Sequence, residues 1–430
     1  MKQTLTYLMT GLFGLVSAIV QIVPATAQEI QPKALSELRP VMELPAPTGE
    51  YAIGRTSFYW KDYSRQEVMT DDPYDFRELR VQIWYPAEPD PKASPAPYLS
   101  DHEALKRVLA RDNARLASVR THTIEEAKLS NAQSRFPVLI FLHGAGSKGA
   151  FYSSIIEELV SHGYIVAAID HTYDSFCIAF PDGRVVRQSD KFAKLMTLPA
   201  GDEGREQFII SRYDVLAEDA VFVLNQLGKL NAEKDGGRFA RRFDLSRLGV
   251  FGHSLGGPSA GRACQIDLRF NAGLNLDGVS KARPFILDAK GRGPEQPFMF
   301  ISSPRPNADD ISEARLAEWK TTRTELRARW AALGIDQDEH LKAVKSGSYR
   351  VTSTKINHSR FTDNAFINQN IIADRTKLST SSIAMQIIRD YSRAFFDKHL
   401  LNKKVPLLDG PSRDYPEVIL EIIRPEAGRW

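Results

Sequence analysis

Apolar positions along this chain fall into two kinds of run, and their alternation predicts a parallel sheet flanked by helices. Short continuous apolar runs read as strands buried on both faces: Arg135-Phe-Pro-Val-Leu-Ile-Phe-Leu142, Tyr164-Ile-Val-Ala-Ala-Ile169 and Arg247-Leu-Gly-Val-Phe251. Between them the period changes. Tyr152 to His162 is amphipathic and closes at Gly163, and Ser211 to Asn231 places Leu216, Ala220, Val223, Leu224 and Leu227 on one helical face. Strand, helix, strand in succession is the pattern of a parallel α/β sheet with right-handed crossovers. Phe270 to Leu276 and Pro297 to Ser302 read as two further strands, Tyr349 to Ile356 as the last strand of the sheet, and Ser381 to Leu401 as a closing helix.

Ahead of this core, Tyr51 to Trp60 and Glu78 to Tyr85 are strand candidates. The second alternates Leu79, Val81, Ile83 and Tyr85 and meets Pro86, which predicts a half-buried antiparallel edge strand. Two charged stretches read as helical insertions, one around 101–130 and one around 311–344, the latter carrying Trp319 and Trp330. Both suit a cap over a site or a surface excursion. Phe192, Leu195, Met196 and Leu198, with the Trp319 and Trp330 helices, suit either a cap packed on the core or an apolar patch making weak contact with a membrane surface.

Residues 1–27 do not belong to this pattern. Lys2, an apolar run from about Leu8 to Val23 and then Ala25-Thr26-Ala27 make a signal peptide with a small-x-small cleavage site, so the mature chain is expected to start near Gln28 and to be secreted or periplasmic. Residues 28–430 then form a single domain. No later run reaches the roughly 18 apolar residues needed to span a bilayer.

Composition narrows the function by exclusion. The chain is 43% hydrophobic and 25% charged, an ordinary globular balance. A net charge of +3 with no basic stripe and no interleaved aromatics gives nucleic acid no footprint, and the densest basic cluster, Arg238 to Arg242, reads as a solvated turn. Cys177, in a loop, and Cys264, on a helix, are compatible with one disulfide or with two buried thiols. Neither has a partner pattern for metal or catalysis, and no cofactor is implied. The sequence is silent on oligomeric state.

One stretch carries chemistry. In Leu248-Gly-Val-Phe-Gly-His-Ser-Leu-Gly-Gly-Pro-Ser-Ala260 an apolar strand runs through G-x-S-x-G into small, helix-compatible residues. The bare pattern arises by chance in about one chain in seven of this length. Its setting between a buried strand and a close-packed helix start makes it a nucleophile elbow, with Ser254 at the turn and Gly252 and Gly256 leaving room for the crossing. A serine hydroxyl needs a base and an acid to orient that base, and in an α/β-hydrolase they follow in the order serine, acid, histidine. His102, His122, His143, His162, His171 and His253 precede Ser254; His340 and His399 lie in helical segments; His358 alone follows a strand directly. Asp277, ending Gly273-Leu-Asn-Leu-Asp277, is the preferred acid, with Asp309 and Asp310 as the alternatives. The backbone N–H groups of Ala145, in His143-Gly-Ala-Gly146, and of Leu255 are the candidate oxyanion donors.

Taken together, Phe141-Leu-His-Gly-Ala-Gly-Ser147, Gly149-Ala-Phe-Tyr-Ser153, Leu159-Val-Ser-His-Gly-Tyr-Ile-Val-Ala-Ala-Ile-Asp-His171, Gly252-His-Ser-Leu-Gly-Gly257, Leu276-Asp277, His358 and Phe361-Thr-Asp363 resemble the plasma platelet-activating-factor acetylhydrolase family of α/β-hydrolases, over roughly residues 78–400. The resemblance implies a metal-independent serine esterase that removes short or oxidised acyl groups from phospholipids, with Ser254, Asp277 and His358 as its triad and Ala145 and Leu255 as oxyanion donors. The chain departs from the animal enzymes in having Leu255 where phenylalanine is usual, Asp170-His171 where Glu-His is usual, and a different helical insertion at 311–344. The expected substrate is therefore a small or lipid ester. Within the same chemistry the alternatives are a general carboxylesterase, a lipase, a polyester hydrolase or an amidase. A non-catalytic binding protein on a hydrolase scaffold is the reading from another class, and the complete serine, acid and histidine set speaks against it.

Overall fold

A computed structural model of the chain describes residues 42–428 apart from 107–115, 199–201, 235, 279–284, 305–306, 320 and 369–371, and its apolar runs form the middle of one ten-stranded sheet. The expected signal peptide and the residues from 28 to 41 lie outside the described residues, as does the middle of the 101–130 stretch. In chain order the strands of the sheet are β1 (Ala52–Gln66), β2 (Phe76–Ala87), β3 (Thr123–Glu125), β4 (Phe136–Leu142), β5 (Ile165–His171), β6 (Phe243–His253), β7 (Ala272–Leu276), β8 (Phe298–Ser302), β9 (Ser348–Ser353) and β10 (Val418–Ile423). Across the sheet they lie in the order β10-β9-β8-β7-β6-β4-β5-β2-β1-β3. Strands β9 through β5 in that order are all parallel, while β10 and β2 close the run antiparallel on either side. This is the α/β-hydrolase architecture.

Helices on both faces explain why the central strands are apolar without alternation. Leu139 and Phe141 of β4 pack with α1 (Ser153–Ser161) and the long closing helix α6 (Arg375–Leu401). Val138, Ile140 and Leu142 of the same strand pack on the other side with α2 (Glu203–Ala232) and α3 (Gly256–Ile266). A period of two thus divides a uniformly apolar strand between two cores.

Several boundaries differ from the sequence expectation for identifiable reasons. Strand β2 is not a half-buried edge: it runs through Pro86, lies between β1 and β5, and buries Arg80, Gln82 and Trp84 as well as the alternating apolar set. Its polar face is buried because charged partners from other elements neutralise it. Strand β9 is not the last, since β10 adds an antiparallel edge. Helix α2 begins eight residues before Ser211, where the Asp202 side chain accepts the Arg205 N–H at 3.0 Å and caps it. Of the expected 101–130 helix, His102–Lys106 is helical but Val119–Arg120 and Thr123–Glu125 are strands, pairing with Met42–Glu43 and β1. The 311–344 insertion is helical, as α4 (Glu313–Glu318) and α5 (Arg323–Lys342). Trp319 and Trp330 pack partly buried against Ala308, Leu316 and Leu326, and Phe192 is buried with Tyr213, Leu216 and Leu255. Cys177, in a short strand rather than a loop, and Cys264 are both buried free thiols.

Candidate active site

The site forms where β6, β7 and the loop after β9 reach the same end of the sheet. Strand β6 ends at His253, and Ser254 takes a left-handed φ of +54° before α3 begins. A non-glycine residue held there costs of order 1–3 kcal/mol and turns its side chain out of the strand. The turn is possible because strand and helix backbones nearly touch: a Cβ on Gly252 would lie 2.2 Å from the Gly256 carbonyl oxygen, and one on Gly256 would lie 2.1 Å from that of Leu142. The Ser254 N–H donates to the Leu276 carbonyl at 3.0 Å, which fixes the elbow to β7.

Asp277 follows β7 directly and is also left-handed, at φ +53°. Its N–H donates to the Ile301 carbonyl at 2.8 Å. His358 opens a single 3-10 turn, His358–Phe361, whose Asn357 cap accepts the Arg360 N–H at 3.2 Å. Although 104 residues separate them in sequence, His358 Nε2 lies 3.1 Å from Ser254 Oγ, and its Nδ1 lies 2.8 Å from Asp277 Oδ2. A carboxylate can only accept, so Nδ1 carries the proton and Nε2 is the face turned to the serine hydroxyl. The structure therefore brings Ser254, Asp277 and His358 together in one hydrogen-bonded line. The alternatives lie elsewhere: Asp309 pairs with Arg327, His340 is buried beside Phe285, and His399 packs on Tyr349 and Phe395.

Beside the serine runs the turn after β4. A Cβ on Gly144 would stand 3.0 Å from Ser254 Cβ, so the Gly144-Ala145 backbone passes against the nucleophile. Leu255 begins α3, where N–H groups are free of helical partners and the helix dipole favours negative charge. The side chains of Ala145 and Leu255 meet in one small apolar cluster with Phe192, Phe208 and Ile286.

Three supporting residues had no role assigned from the sequence, although Tyr152 and His253 lie within the motifs quoted above. Ser303, just past β8, donates its N–H to Asp277 Oδ1 at 2.8 Å, and its hydroxyl lies 2.9 Å from each carboxylate oxygen. Tyr152 Oη accepts the Gly144 N–H at 3.2 Å and lies 2.8 Å from His253 Nδ1. Burial, then the neighbouring His358, hold the His253 imidazole well below its ordinary pKa, so the ring is neutral. Their roles come from partners that only the fold brings within reach.

Under the turn lies a buried ion network. Arg77 binds Asp219, Glu67 and the Thr172 carbonyl, and Arg212 holds the Asp174 carboxylate at 3.0 Å. Arg80 pairs with Asp170 at 2.8 Å, and Lys148 with Asp101 at 2.8 Å. The network reaches the site through backbone: Gly146 N–H donates to the Asp174 carbonyl and Gly149 N–H to Asp170 Oδ1, each at 2.8 Å. His171 Nδ1 lies 2.8 Å from Asp219 Oδ2, and His143 Nε2 accepts the His171 N–H at 3.2 Å. Asp170-His171 thus acts here as structural support. Among the described residues no group of His, Cys, Asp and Glu side chains is placed to hold a metal ion.

Comparison with known proteins sets the class first. The solved structure of a ferulic acid esterase from Streptomyces cinnamoneus matches with a TM-score of 0.64 at 27% identity, covering 88% of this chain and 99% of that one. The protein is a carboxylic ester hydrolase built on the α/β-hydrolase fold. Within that class, the sequence profile of the family described as platelet-activating factor acetylhydrolase, isoform II, matches residues 38–407, and the chain belongs to this family. Similar proteins include a probable 1-alkyl-2-acetylglycerophosphocholine esterase of Arthroderma benhamiae, 25% identical over 87% of this chain and 93% of its own. The platelet-activating factor acetylhydrolase of Gallus gallus is 25% identical over 84% of each chain.

Proposed function

We propose that the chain hydrolyses short-acyl carboxylic esters through an acyl-enzyme on Ser254. His358 Nε2 takes the Ser254 Oγ proton as Oγ attacks the acyl carbonyl; the Ala145 and Leu255 N–H groups receive the negative oxygen of the tetrahedral intermediate; Asp277 orients His358 and stabilises its imidazolium. The proton then passes from His358 to the departing alkoxide. In the second half His358 draws a proton from water, the hydroxide adds to the acyl-serine, and collapse releases the acid and restores Oγ–H. The observation that carries this reading is the bridge made by His358, 2.8 Å from Asp277 and 3.1 Å from Ser254.

The substrate reading is a short acyl group, such as the sn-2 acetyl of a phospholipid, supported by family membership and by the names of the Arthroderma and Gallus relatives. A general carboxylesterase is the second reading, favoured by the ferulic acid esterase neighbour. The mature enzyme is a single domain, residues 28–430, exported after cleavage near Ala27, with the 311–344 helices as a cap-like insertion.

The test is hydrolysis of a 2-acetyl phosphocholine lipid, its 2-palmitoyl counterpart and nitrophenyl acetate by the mature chain. Acetyl preference on the lipid supports the first substrate reading; turnover of the simple ester alone supports the second. Ser254→Ala is expected to lower kcat by about 10⁴-fold or more with an unchanged melting temperature. Full activity in that variant would remove Ser254 from the mechanism.

A further inference from the structure

The two halves of the proposed oxyanion site come from different elements, and one hydroxyl joins them. Ala145 sits on the turn after β4, Leu255 at the start of α3, and nothing in the local sequence of either fixes the gap between them. Tyr152 does touch both supports. Its Oη accepts the N–H of Gly144, the residue before Ala145, at 3.2 Å, and lies 2.8 Å from Nδ1 of His253, the residue before the nucleophile.

The groups themselves decide how these two bonds form. A backbone N–H can only donate. The His253 ring is neutral, so its Nδ1 and the Tyr152 hydroxyl can share one hydrogen bond in either tautomer. Burial pushes the Tyr152 hydroxyl up to about 12, which keeps it protonated throughout the working range of an esterase. The hydroxyl therefore accepts from one half of the site and is hydrogen-bonded to the other at the same time.

Tyr152 is itself held rigidly. It is 1% exposed, its ring packs on Phe141 at 4.6 Å between centroids, and it ends a 3-10 turn, Gly149–Tyr152. Gly149 N–H is bound to Asp170, and the Phe151 carbonyl accepts the Asp363 N–H at 2.8 Å. His253 is clamped in turn between Phe361, at 5.3 Å, and His358, at 4.6 Å. The space is also tight, since a Cβ on Gly144 would lie 3.3 Å from both Tyr152 Oη and His253 Nδ1.

We propose that Tyr152 is a positioning residue for the oxyanion site: its hydroxyl sets the distance between the Ala145 and Leu255 donors by tying Gly144 to His253. The inference rests on the serine-esterase reading above. Tyr152→Phe keeps the ring and its packing and removes only the tie. The expected result is a loss in kcat of about 10- to 100-fold, below the full effect of deleting an oxyanion donor, with KM within twofold. A short-chain trifluoromethyl ketone, which adds to the serine as a tetrahedral oxyanion, is expected to lose affinity by the same factor as kcat/KM. The matching methyl ketone, which binds without that charge, should keep its affinity.

Unchanged kcat and unchanged trifluoromethyl ketone binding would overturn the inference. Equal losses for both ketones would do so as well, because they would make Tyr152 a general packing residue. If Tyr152→Phe does not fold, His253→Leu removes the partner at the other end of the same bond, and the two ketones decide in the same way. A fully active Ser254→Ala would instead sink the serine reading, so the two failures are distinguishable.

Discussion

A carboxylate that orients a histidine must itself be held, and here Ser303 supplies that hold with both its N–H and its hydroxyl. Without the hydroxyl, Asp277 keeps one backbone donor and gains a freedom to rotate that its role does not tolerate. Hydrogen bonds to charged groups contribute about 1.5–3 kcal/mol, so Ser303→Ala is expected to lower kcat by roughly 10- to 100-fold, and Ser303→Thr, which restores a hydroxyl, to recover most of it. Steady-state kinetics on nitrophenyl acetate reads this directly. Wild-type kcat in the alanine variant would show that the Ser303 N–H and the Asp277 backbone suffice.

At the scale of elements, the crossing of β6 and α3 is what exposes the serine, and it depends on the absence of side chains. Gly252→Ala would force a methyl to within 2.2 Å of the Gly256 carbonyl oxygen, against backbone that cannot yield without moving the elbow. A loss of ~3 kcal/mol or more is expected, read as a lower urea midpoint. Gly228 gives the opposite case. It lies inside α2 with nothing within 4 Å of an added Cβ, so Gly228→Ala should stabilise by about 1 kcal/mol through helix propensity. If both variants moved the midpoint the same way, close approach would not be the reason for the elbow glycines. The same logic applies to β2. Its charged side chains can be buried on both faces only because they meet acids from other elements, Arg80 pairing with Asp170 on one face and Arg77 with Asp219, 142 residues away, on the other. Burial alone would raise the Asp219 carboxyl, but Arg77, His171 and Arg65 outweigh it and hold the group well below the ordinary carboxylate range.

For the whole molecule, the buried histidines set the response to acid. Burial, with His171 adding to it, pulls His143 down to about 4; burial, then Lys398, brings His399 to about 4; and His253 lies well below its ordinary value. In each case the folded state keeps the ring neutral while the unfolded chain protonates near pH 6.5. Their contribution to stability is complete above pH 6.5 and is lost as pH falls toward 4. Asp363 acts in the opposite sense, since burial pushes its carboxyl up to about 7 and the folded state takes that proton first. Three histidine protons bound by the unfolded state against one aspartate proton bound by the folded state leave a net uptake of fewer than two protons on unfolding, or about 2 kcal/mol per pH unit between roughly pH 6 and 4. Urea midpoints measured across that window should fall steadily on acidification; a flat or rising midpoint would mean that these rings accept protons in the folded state.

How much of this was legible beforehand follows from the range of the interactions involved. The central strands, the flanking helices and the elbow are short-range patterns: apolar runs, helical spacing, and glycines around a serine. The sequence by itself therefore determined the fold class and singled out Ser254, Asp277 and His358, because each follows a strand whose pattern can be read locally. It could not show that β2 is interior, that β10 adds an edge, or that residues 119–125 are strands, since these depend on which neighbours arrive to pair. Only the tertiary structure decided that Ser303 holds Asp277, that Tyr152 ties Gly144 to His253, and that a buried ion network underlies the turn at 143–149. Those residues act through single hydrogen bonds to partners distant in the chain, and a bond of that kind leaves no periodicity for a sequence to display.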